Sequence, residues 1–217
     1  MVIVNREMSY RIMDNIIKIN PRICDARNTE HLCTKEHVAK MEKYYLMKSQ
    51  VVGFTETPCP EWRVRDVFKY MKDNNKIFAI GTSIGNDIRF FNNASGIDCV
   101  LGLIKIGTRL GRNLIYGLSE SIPIKSNSIN IVIAIESFEH VFNLNKCLSE
   151  IKRILKHDGL LYFTVPDINE WKEKVEVDVR GYSYEEWISK INGFKLVESG
   201  KQYNEKYCYY VFRKRME

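Results

Sequence analysis

Four loops in the second half of the sequence carry residues that could bind or react with a ligand. The first, Gly81-Thr-Ser-Ile-Gly85, follows an apolar run at 77–80. Glycine at both ends of a tight strand-to-helix turn lets the backbone approach a ligand and directs free N–H groups toward it. We therefore interpret this turn as a cradle for the polar end of a ligand.

The other three loops follow later apolar runs in the same way. Asp98 ends the second run, Gly117-Leu-Ser-Glu-Ser-Ile-Pro123 follows the third, and Glu136-Ser-Phe-Glu-His140 follows the fourth. A carboxylate at the end of a second strand can accept hydrogen bonds from both hydroxyls of a ribose, and open α/β sheets bind ligands at the carboxyl ends of their strands. The four loops thus predict one nucleoside-binding cleft.

His140 is the candidate catalytic residue of this cleft. Near neutral pH an imidazole can take a proton from an attacking hydroxyl or amine. The alternative is a structural role, in which His140 bonds a backbone carbonyl and holds its loop. Glu136 and Glu139, in the same loop, are candidate ligand contacts or solvated acids.

Short apolar runs alternate with helical patterns from residue 77 onward, which indicates a parallel sheet covered by helices. Helices are predicted over 100–110, over 144–156 with Gly159 as the stop, and over 183–191. Only the polar stretch 199–205 separates the last two predicted strands. A parallel crossover needs a dozen or more residues, so these two strands must form an antiparallel hairpin. The seven predicted strands are 77–80, 94–98, 113–116, 129–135, 160–165, 194–198 and 206–213.

Composition narrows the class of protein. The 217 residues are 45% apolar and carry 33 basic against 27 acidic side chains, for a net charge of +6. A chain of this length and composition can bury one large core, which excludes general disorder. The excess charge is spread along the chain, so nucleic acid is an unlikely partner. No apolar run is long enough to cross a bilayer, no leader is visible and the six cysteines lack a disulfide-like pattern, so we expect a cytoplasmic location without membrane attachment.

Three stretches resemble class I S-adenosylmethionine-dependent methyltransferases, in the small-molecule branch that includes the ubiquinone-biosynthesis type (methyltransferase type 11). They are the segments 117–132, 135–141 and 150–166. The first is similar to G-x-A-E-x-L-P-F-x-D-x-S-F-D-x-V, the second to E-x-L-E-H-V, and the third to E-x-x-R-V-L-K-P-G-G-x-L-x-x-x-x-P. The resemblance covers about residues 77–212.

The resemblance implies a fold and a set of cofactor contacts. It implies a Rossmann-like α/β domain with a seven-stranded, mostly parallel sheet, a C-terminal antiparallel hairpin and helices on both faces. We expect one domain, 1–217, in which 77–217 form this core and 1–76 a helical extension or lid. The cofactor would be S-adenosyl-L-methionine, and its candidate contacts are Gly81, Thr82, Ser83, Gly85, Asp98, Cys99, Leu118, Ser119 and Glu136.

The extension supplies the candidate acceptor contacts. Three helices are predicted there, Ser9–Ile19, Thr34–Met47 and one from Pro60 to about Lys72. In similar methyltransferases such a segment folds over the cofactor and acceptor, which makes its aromatic residues candidates. With Glu139, the candidates for binding a small-molecule acceptor are Tyr44, Tyr45 and Trp62.

A metal site is not expected in the extension. Cys24, His31, Cys33 and His37 have a spacing that matches no common structural zinc site.

Three departures from the family pattern keep other functions open. Ala79 replaces an acid, Ser83 a glycine and Leu118 an aspartate. They favour a non-catalytic methyltransferase-like binding subunit as the alternative to methyl transfer. A further alternative is a methyltransferase acting on RNA, whereas a nicotinamide dehydrogenase would need glycine at Ser83 and Asn86. The acceptor and the oligomeric state have no signal in the sequence.

Overall fold

A computed structural model describes residues 35–52, 61–170 and 177–215. In these ranges the chain forms four α-helices and seven strands. The helices are α1 (Lys35–Val52), α2 (Leu101–Arg109), α3 (Leu144–Ile154) and α4 (Tyr184–Lys190). The strands are β1 (Ile77–Ile80), β2 (Ala94–Asp98), β3 (Leu114–Tyr116), β4 (Ile129–Ile135), β5 (Leu155–Pro166), β6 (Phe194–Gln202) and β7 (Tyr207–Lys214).

The strands form one sheet in the order β3-β2-β1-β4-β5-β7-β6. The first five strands pair in parallel, and β7 pairs antiparallel to both β5 and β6. This confirms the predicted seven-stranded sheet with its C-terminal hairpin. The strand order changes direction at β1, because β2 and β3 lie on one side of it and β4 and the later strands lie on the other. Open α/β sheets bind ligands at such a point.

Helices cover both faces because side chains alternate along each strand. In β1, Phe78 and Ile80 pack with α3 and α4 in one core cluster. Ile77 and Ala79 lie in the cluster on the opposite face, together with Ile104 of α2. The near-continuous apolar sequence of β1 therefore reflects a strand buried on both sides.

Helix α1 packs over α2 at the edge of the sheet. Gly102 of α2 allows this close approach, since a Cβ there would lie 2.3 Å from a methyl carbon of Leu46. Met41, on the same helix, joins a small core cluster with Val100 and Leu103. The described part of the N-terminal extension is thus anchored beside the β2 loop. The predicted helix Ser9–Ile19 lies outside the described residues.

Three local predictions were wrong. The helix predicted over 144–156 ends at Ile154, and Gly159 lies inside β5, where Leu155 already pairs with Ile129. The single helix predicted from Pro60 to Lys72 is instead two 3-10 turns, Glu61–Arg63 and Arg65–Tyr70. The polar stretch 199–205, expected as a loop, continues β6 as far as Gln202.

Candidate active site

The glycine turn and Asp98 meet, as the sequence predicts. The backbone N–H of Ser83 donates to one carboxylate oxygen of Asp98 at 2.8 Å, and that of Val100 donates to the other at 2.8 Å. Burial raises the pKa of Asp98, although these N–H groups act against the rise. Gly81 and Gly85 have φ angles of +64° and +80°, a region that favours glycine.

Part of the turn faces the protein interior. A Cβ at Gly81 would lie 2.6 Å from Oγ of Ser137, whose hydroxyl donates to the carbonyl of Ile80 at 2.8 Å. The Thr82 hydroxyl donates to the buried carboxylate of Asp87. Of the predicted contacts in this turn, Thr82 can therefore offer a ligand only its backbone, since its side chain is already bonded inside.

The loop after β3 joins the same place. The N–H of Gly117 donates to the carbonyl of Asp98 at 3.0 Å. Leu118 is buried and packs with Val38 of α1 in a cluster that Cys99 flanks. Three loops that the sequence assigns to one nucleoside thus converge, with α1 lying over the third. The hydroxyl of Ser119 faces away from this cluster, toward Glu120, to which it donates at 3.0 Å.

The Glu136 side of the fourth loop contacts the 3-10 segment. Glu136 forms an ion pair with Arg63 at 3.0 Å and adopts a φ of +47°. Trp62, a predicted acceptor contact, stacks on Tyr203 with ring centroids 4.9 Å apart. Arg63 also lies over the Trp62 ring. Trp62 is therefore fixed against the β6–β7 turn, away from the Tyr44–Tyr45 pair.

The other side of that loop holds a chain of three titratable groups. The hydroxyl of Tyr45 lies 2.8 Å from Nε2 of His140, and Asp178 Oδ1 lies 3.0 Å from Nδ1 of the same ring. His37 donates from Nε2 to the carbonyl of His140 at 3.0 Å. Tyr44 packs edge-on against Tyr45 with centroids 5.0 Å apart. The structure therefore joins the predicted base to a predicted acceptor contact.

Asp178 has no recognisable motif and was not predicted. It reaches His140 because the segment that carries it is bonded to the loop after β4. The N–H of Val179 donates to the carbonyl of Glu139 at 3.0 Å, and the Arg180 guanidinium donates to the carbonyl of Phe138 at 2.6 Å. These are long-range contacts, so no local sequence pattern could have identified this aspartate.

Burial and neighbouring charges set the protonation of His140, Glu139 and Tyr45. Burial lowers the pKa of His140, but the carboxylates of Asp178 and Glu139, which favour the charged ring, outweigh it, so the net shift is upward. Burial raises the pKa of Glu139 to about 7. Burial and the nearby carboxylates of Glu139 and Asp98 raise the pKa of Tyr45, which therefore keeps its proton.

A family model described as a methyltransferase domain matches residues 80–163. Residues 80–163 resemble a methyltransferase domain. The matched segment runs from the end of β1 into β5 and contains the four loops described above, so the predicted relationship is confirmed. The match is to the methyltransferase class that the sequence resembles.

Relatives of the methyltransferase domain extend the comparison. The chain is 28% identical over 156 residues to the uncharacterized protein MJ1252 of Methanocaldococcus jannaschii, a match covering 70% of this chain and 59% of that protein. It is 34% identical over 94 residues to the uncharacterized protein YafE of Escherichia coli, covering 37% and 44% of the two chains. The chain thus spans less than two thirds of the length of both relatives.

Solved structures show the same fold at low sequence identity. A Thermotoga maritima SAM-dependent methyltransferase, described as a possible histamine N-methyltransferase, superposes with a TM-score of 0.64 at 19% identity, covering 83% of this chain and 99% of that one. The (4+2)-cyclase SpnF superposes with a TM-score of 0.59 at 14% identity, covering 71% and 81%. The fold of the methyltransferase domain is therefore that of class I methyltransferases, and this fold also hosts a cyclase.

The residues of the methyltransferase domain fit the cofactor. Each Asp98 oxygen accepts one backbone N–H, and a carboxylate oxygen has a second lone pair for a ribose hydroxyl. The Ser83 hydroxyl is buried in the turn and has no hydrogen-bond partner within 35–52, 61–170 and 177–215. It can donate to a carboxylate such as that of the cofactor's methionine part.

Two further findings concern metals and membranes. Across the described ranges, no group of three or more His, Cys, Asp or Glu is arranged to hold a metal ion. Cys24, His31 and Cys33 lie outside those ranges. None of the helices that the structure describes is long and apolar enough to cross a membrane.

Replacing Ser83 with glycine is expected to stabilise the fold and weaken cofactor binding. Ser83 has a φ of +55°, which costs a residue with a side chain about 1 kcal/mol relative to glycine. Loss of its hydroxyl should weaken binding of S-adenosylhomocysteine about fivefold, for one hydrogen bond of about 1 kcal/mol. Denaturant unfolding and calorimetric titration measure the two effects.

Asp158→Gly is the matched control for the backbone effect. Asp158 has a φ of +58° but is exposed within β5, away from the glycine turn. It should gain similar stability without any change in affinity. Equal affinities of Ser83→Gly and the wild type would contradict a role for the Ser83 hydroxyl.

Glu139→Gln should stabilise the protein in a pH-dependent way. The Glu139 pKa of about 7 lies above the ordinary value of 4.5, so the folded state disfavours the charged form. Stability is therefore lost as the pH rises through the interval between these values, at about 1.4 kcal/mol per unit. We expect the glutamine variant to be about 2–3 kcal/mol more stable at pH 8 and no more stable at pH 4.

Glu36→Gln controls for the loss of a charge alone. Glu36 is exposed and forms an (i, i+4) pair with Lys40 at 3.0 Å. Its effect on the free energy of unfolding should stay within about 0.5 kcal/mol at every pH. A Glu139→Gln gain that does not change between pH 4 and pH 8 would refute the buried-charge explanation.

Proposed function

We propose that the chain transfers a methyl group from S-adenosyl-L-methionine to a small-molecule acceptor. The observation that carries this proposal is the convergence of the glycine turn, Asp98 and the Leu118 loop at the carboxyl ends of β1, β2 and β3. A nucleoside contacts these three places at once only if they adjoin, and Asp98 bonds to both of the others through backbone groups.

In this proposal each loop holds a part of the cofactor. Asp98 holds the ribose, Cys99 and Leu118 line the adenine, and Ser83 with the turn backbone meets the methionine part. The cofactor supplies a methyl group on a sulfonium, a leaving group that needs no activation. The protein's contribution is to position the acceptor in line and to exclude water.

The acceptor side lies between the fourth loop and the N-terminal extension. His140 is the candidate base, Glu139 and Tyr45 lie beside it, and Tyr44 packs against Tyr45. We place residues 1–76 in the role of a lid on the 77–217 core within one domain. Packing of Val38 against Leu118 and the bond between Tyr45 and His140 support this role, because they attach α1 to loops on both sides of the cleft.

Calorimetric titration of the full chain tests the proposal. S-adenosylmethionine and S-adenosylhomocysteine should both bind with dissociation constants well below a millimolar. Release of S-adenosylhomocysteine in the presence of a panel of small hydroxyl, amine and carbon acceptors then tests transfer. Absence of binding by either compound at near-millimolar concentration would overturn the proposal.

A non-catalytic binding module is the second candidate. Leu118 favours it, because this buried leucine stands where the resembled family has an aspartate and cannot accept a hydrogen bond from the adenine amino group. Inward bonding of Thr82 also removes one side-chain contact. Tight binding of S-adenosylhomocysteine without turnover of any acceptor in the panel would favour this module over the enzyme.

A further inference from the structure

Both ring nitrogens of His140 already have partners within the protein. Nδ1 lies 3.0 Å from Asp178 Oδ1, and Nε2 lies 2.8 Å from the hydroxyl of Tyr45. An acceptor molecule therefore cannot bond His140 directly while both contacts persist. A proton from the acceptor can reach the imidazole only through the oxygen of Tyr45.

The partners fix which proton each nitrogen carries. A carboxylate accepts only, so the 3.0 Å contact with Asp178 favours the hydrogen on Nδ1. The neutral ring then has its lone pair on Nε2, where it accepts from the Tyr45 hydroxyl. The Asp178 side chain is 2% exposed and that of His140 13%, whereas Tyr45 is partly exposed. Burial thus decreases from Asp178 through His140 to Tyr45.

We propose that Tyr45 is the catalytic residue that contacts the acceptor, that His140 stores the proton, and that Asp178 is a positioning residue. This proposal rests on the proposed function. As the acceptor's O–H or N–H proton passes to the Tyr45 oxygen, the phenol proton passes to Nε2 of His140. The phenol ends neutral, the imidazole becomes an imidazolium beside Asp178, and the acceptor keeps its electron pair for the methyl carbon.

The relay defines a class of acceptor. Only a nucleophile with a proton to lose, such as an alcohol, a phenol or a protonated amine, needs this path. Thioethers and tertiary amines have no such proton and gain nothing from it.

The relay also depends on α1. Tyr45 lies on α1, His140 after β4 and Asp178 in the segment that follows β5, so the path is complete only when α1 is packed. The titratable and charged groups that face His140 come from each of these elements and from β2. They are His37 and Tyr45, Glu139, Asp178 and Arg180, and Asp98.

Histidine NMR tests the relay without the cofactor. The chain has four histidines, so labelled imidazoles give four sets of signals, and His140→Gln assigns the one of interest. In the wild type, His140 should titrate above 6.5 and carry its neutral-form proton on Nδ1. Asp178→Asn should lower that pKa and abolish the tautomer preference. An unchanged pKa and tautomer would overturn the role of Asp178.

A matched pair of probes tests the contact of Tyr45 with an acceptor. Phenol has a proton to donate, and anisole is its methyl ether without one. Phenol should shift the Nε2 signal of His140 in the wild type, whereas anisole should not. In Tyr45→Phe the Nε2 signal should move without any probe, because Nε2 loses its bond to the Tyr45 hydroxyl. Equal shifts by both probes, no shift by phenol, or an Nε2 signal unchanged in Tyr45→Phe would overturn the proposal.

Tyr70→Phe is the control variant for Tyr45→Phe. It also removes one phenol hydrogen bond, to Glu198 at 2.6 Å, but on the 3-10 segment away from His140. It should leave all His140 signals as in the wild type. Binding of S-adenosylhomocysteine, measured on the wild type and on Tyr45→Phe, separates the two proposals. No binding to the wild type would refute the proposed function, whereas the NMR results test the relay.

Discussion

Asp98→Ala should reduce the affinity for S-adenosylhomocysteine by roughly 100-fold, which corresponds to about 2.8 kcal/mol. The alanine variant loses the acceptor for both ribose hydroxyls, and hydrogen bonds to a charged group are worth about 1.5–3 kcal/mol each. The backbone N–H groups of Ser83 and Val100 also lose their partner. We therefore expect a further loss of about 2 kcal/mol in the free energy of unfolding.

Asp98→Asn separates binding from folding. The asparagine keeps the shape and one acceptor oxygen, so it should lose less stability than alanine while binding the nucleoside much more weakly than the wild type. Calorimetric titration and denaturant unfolding of the two variants give both quantities. An alanine variant that binds S-adenosylhomocysteine as tightly as the wild type would contradict the assignment of the ribose to Asp98.

The sheet was predictable because strands buried on both faces have short, nearly continuous apolar sequences. The run 77–80 and the run 129–135 match β1 and β4 residue for residue. The hairpin was predictable from connection length alone. Both signals are local. The parallel pairing of the strands was predictable as well, because it follows from the alternation of strands and helices along the chain.

The wrong boundaries arose where tertiary contacts override local pattern. Leu155 continues the helical spacing of α3, yet it pairs with Ile129 across an irregularity in the β4–β5 ladder. The segment after Pro60 forms 3-10 turns whose position is fixed from outside, since the hydroxyl of Tyr162 donates to the carbonyl of Arg63 at 2.8 Å. Val64 and Val67 are fully buried there. Neither contact has a sequence signal near the affected residues.

The candidate site divides in the same way. Asp98 and the glycine turn could be found because each ends or follows a strand. The inward direction of Thr82 depends on Asp87, whose carboxylate is buried five residues later in the chain. Asp178 needs the whole segment 177–180 to be bonded to the loop after β4. Sequence thus predicts which loops form the candidate site, whereas the side-chain partners within it depend on contacts that only the folded chain makes.

Phe138→Ala should be the most destabilising single change in the His140 loop. Phe138 is fully buried, and its ring centroid lies 4.9 Å from that of Phe163 and 6.3 Å from that of Trp187. Replacing a buried phenylalanine with alanine costs about 3–5 kcal/mol. For a chain of this length that lowers the Tm by roughly 10 °C. Scanning calorimetry measures the change.

The same variant should also disturb His140. The Phe138 ring anchors the loop in the aromatic cluster, and the Arg180 guanidinium donates to the Phe138 carbonyl. A cavity in place of the Phe138 ring therefore lets the loop shift. The His140 imidazole signals should then broaden or move even where the protein remains folded. Phe142→Ala is the control, because Phe142 is 44% exposed at the end of the same loop and should change stability by no more than about 0.5 kcal/mol. Equal Tm values for the two alanine variants would contradict the expected packing role of Phe138 beneath the His140 loop.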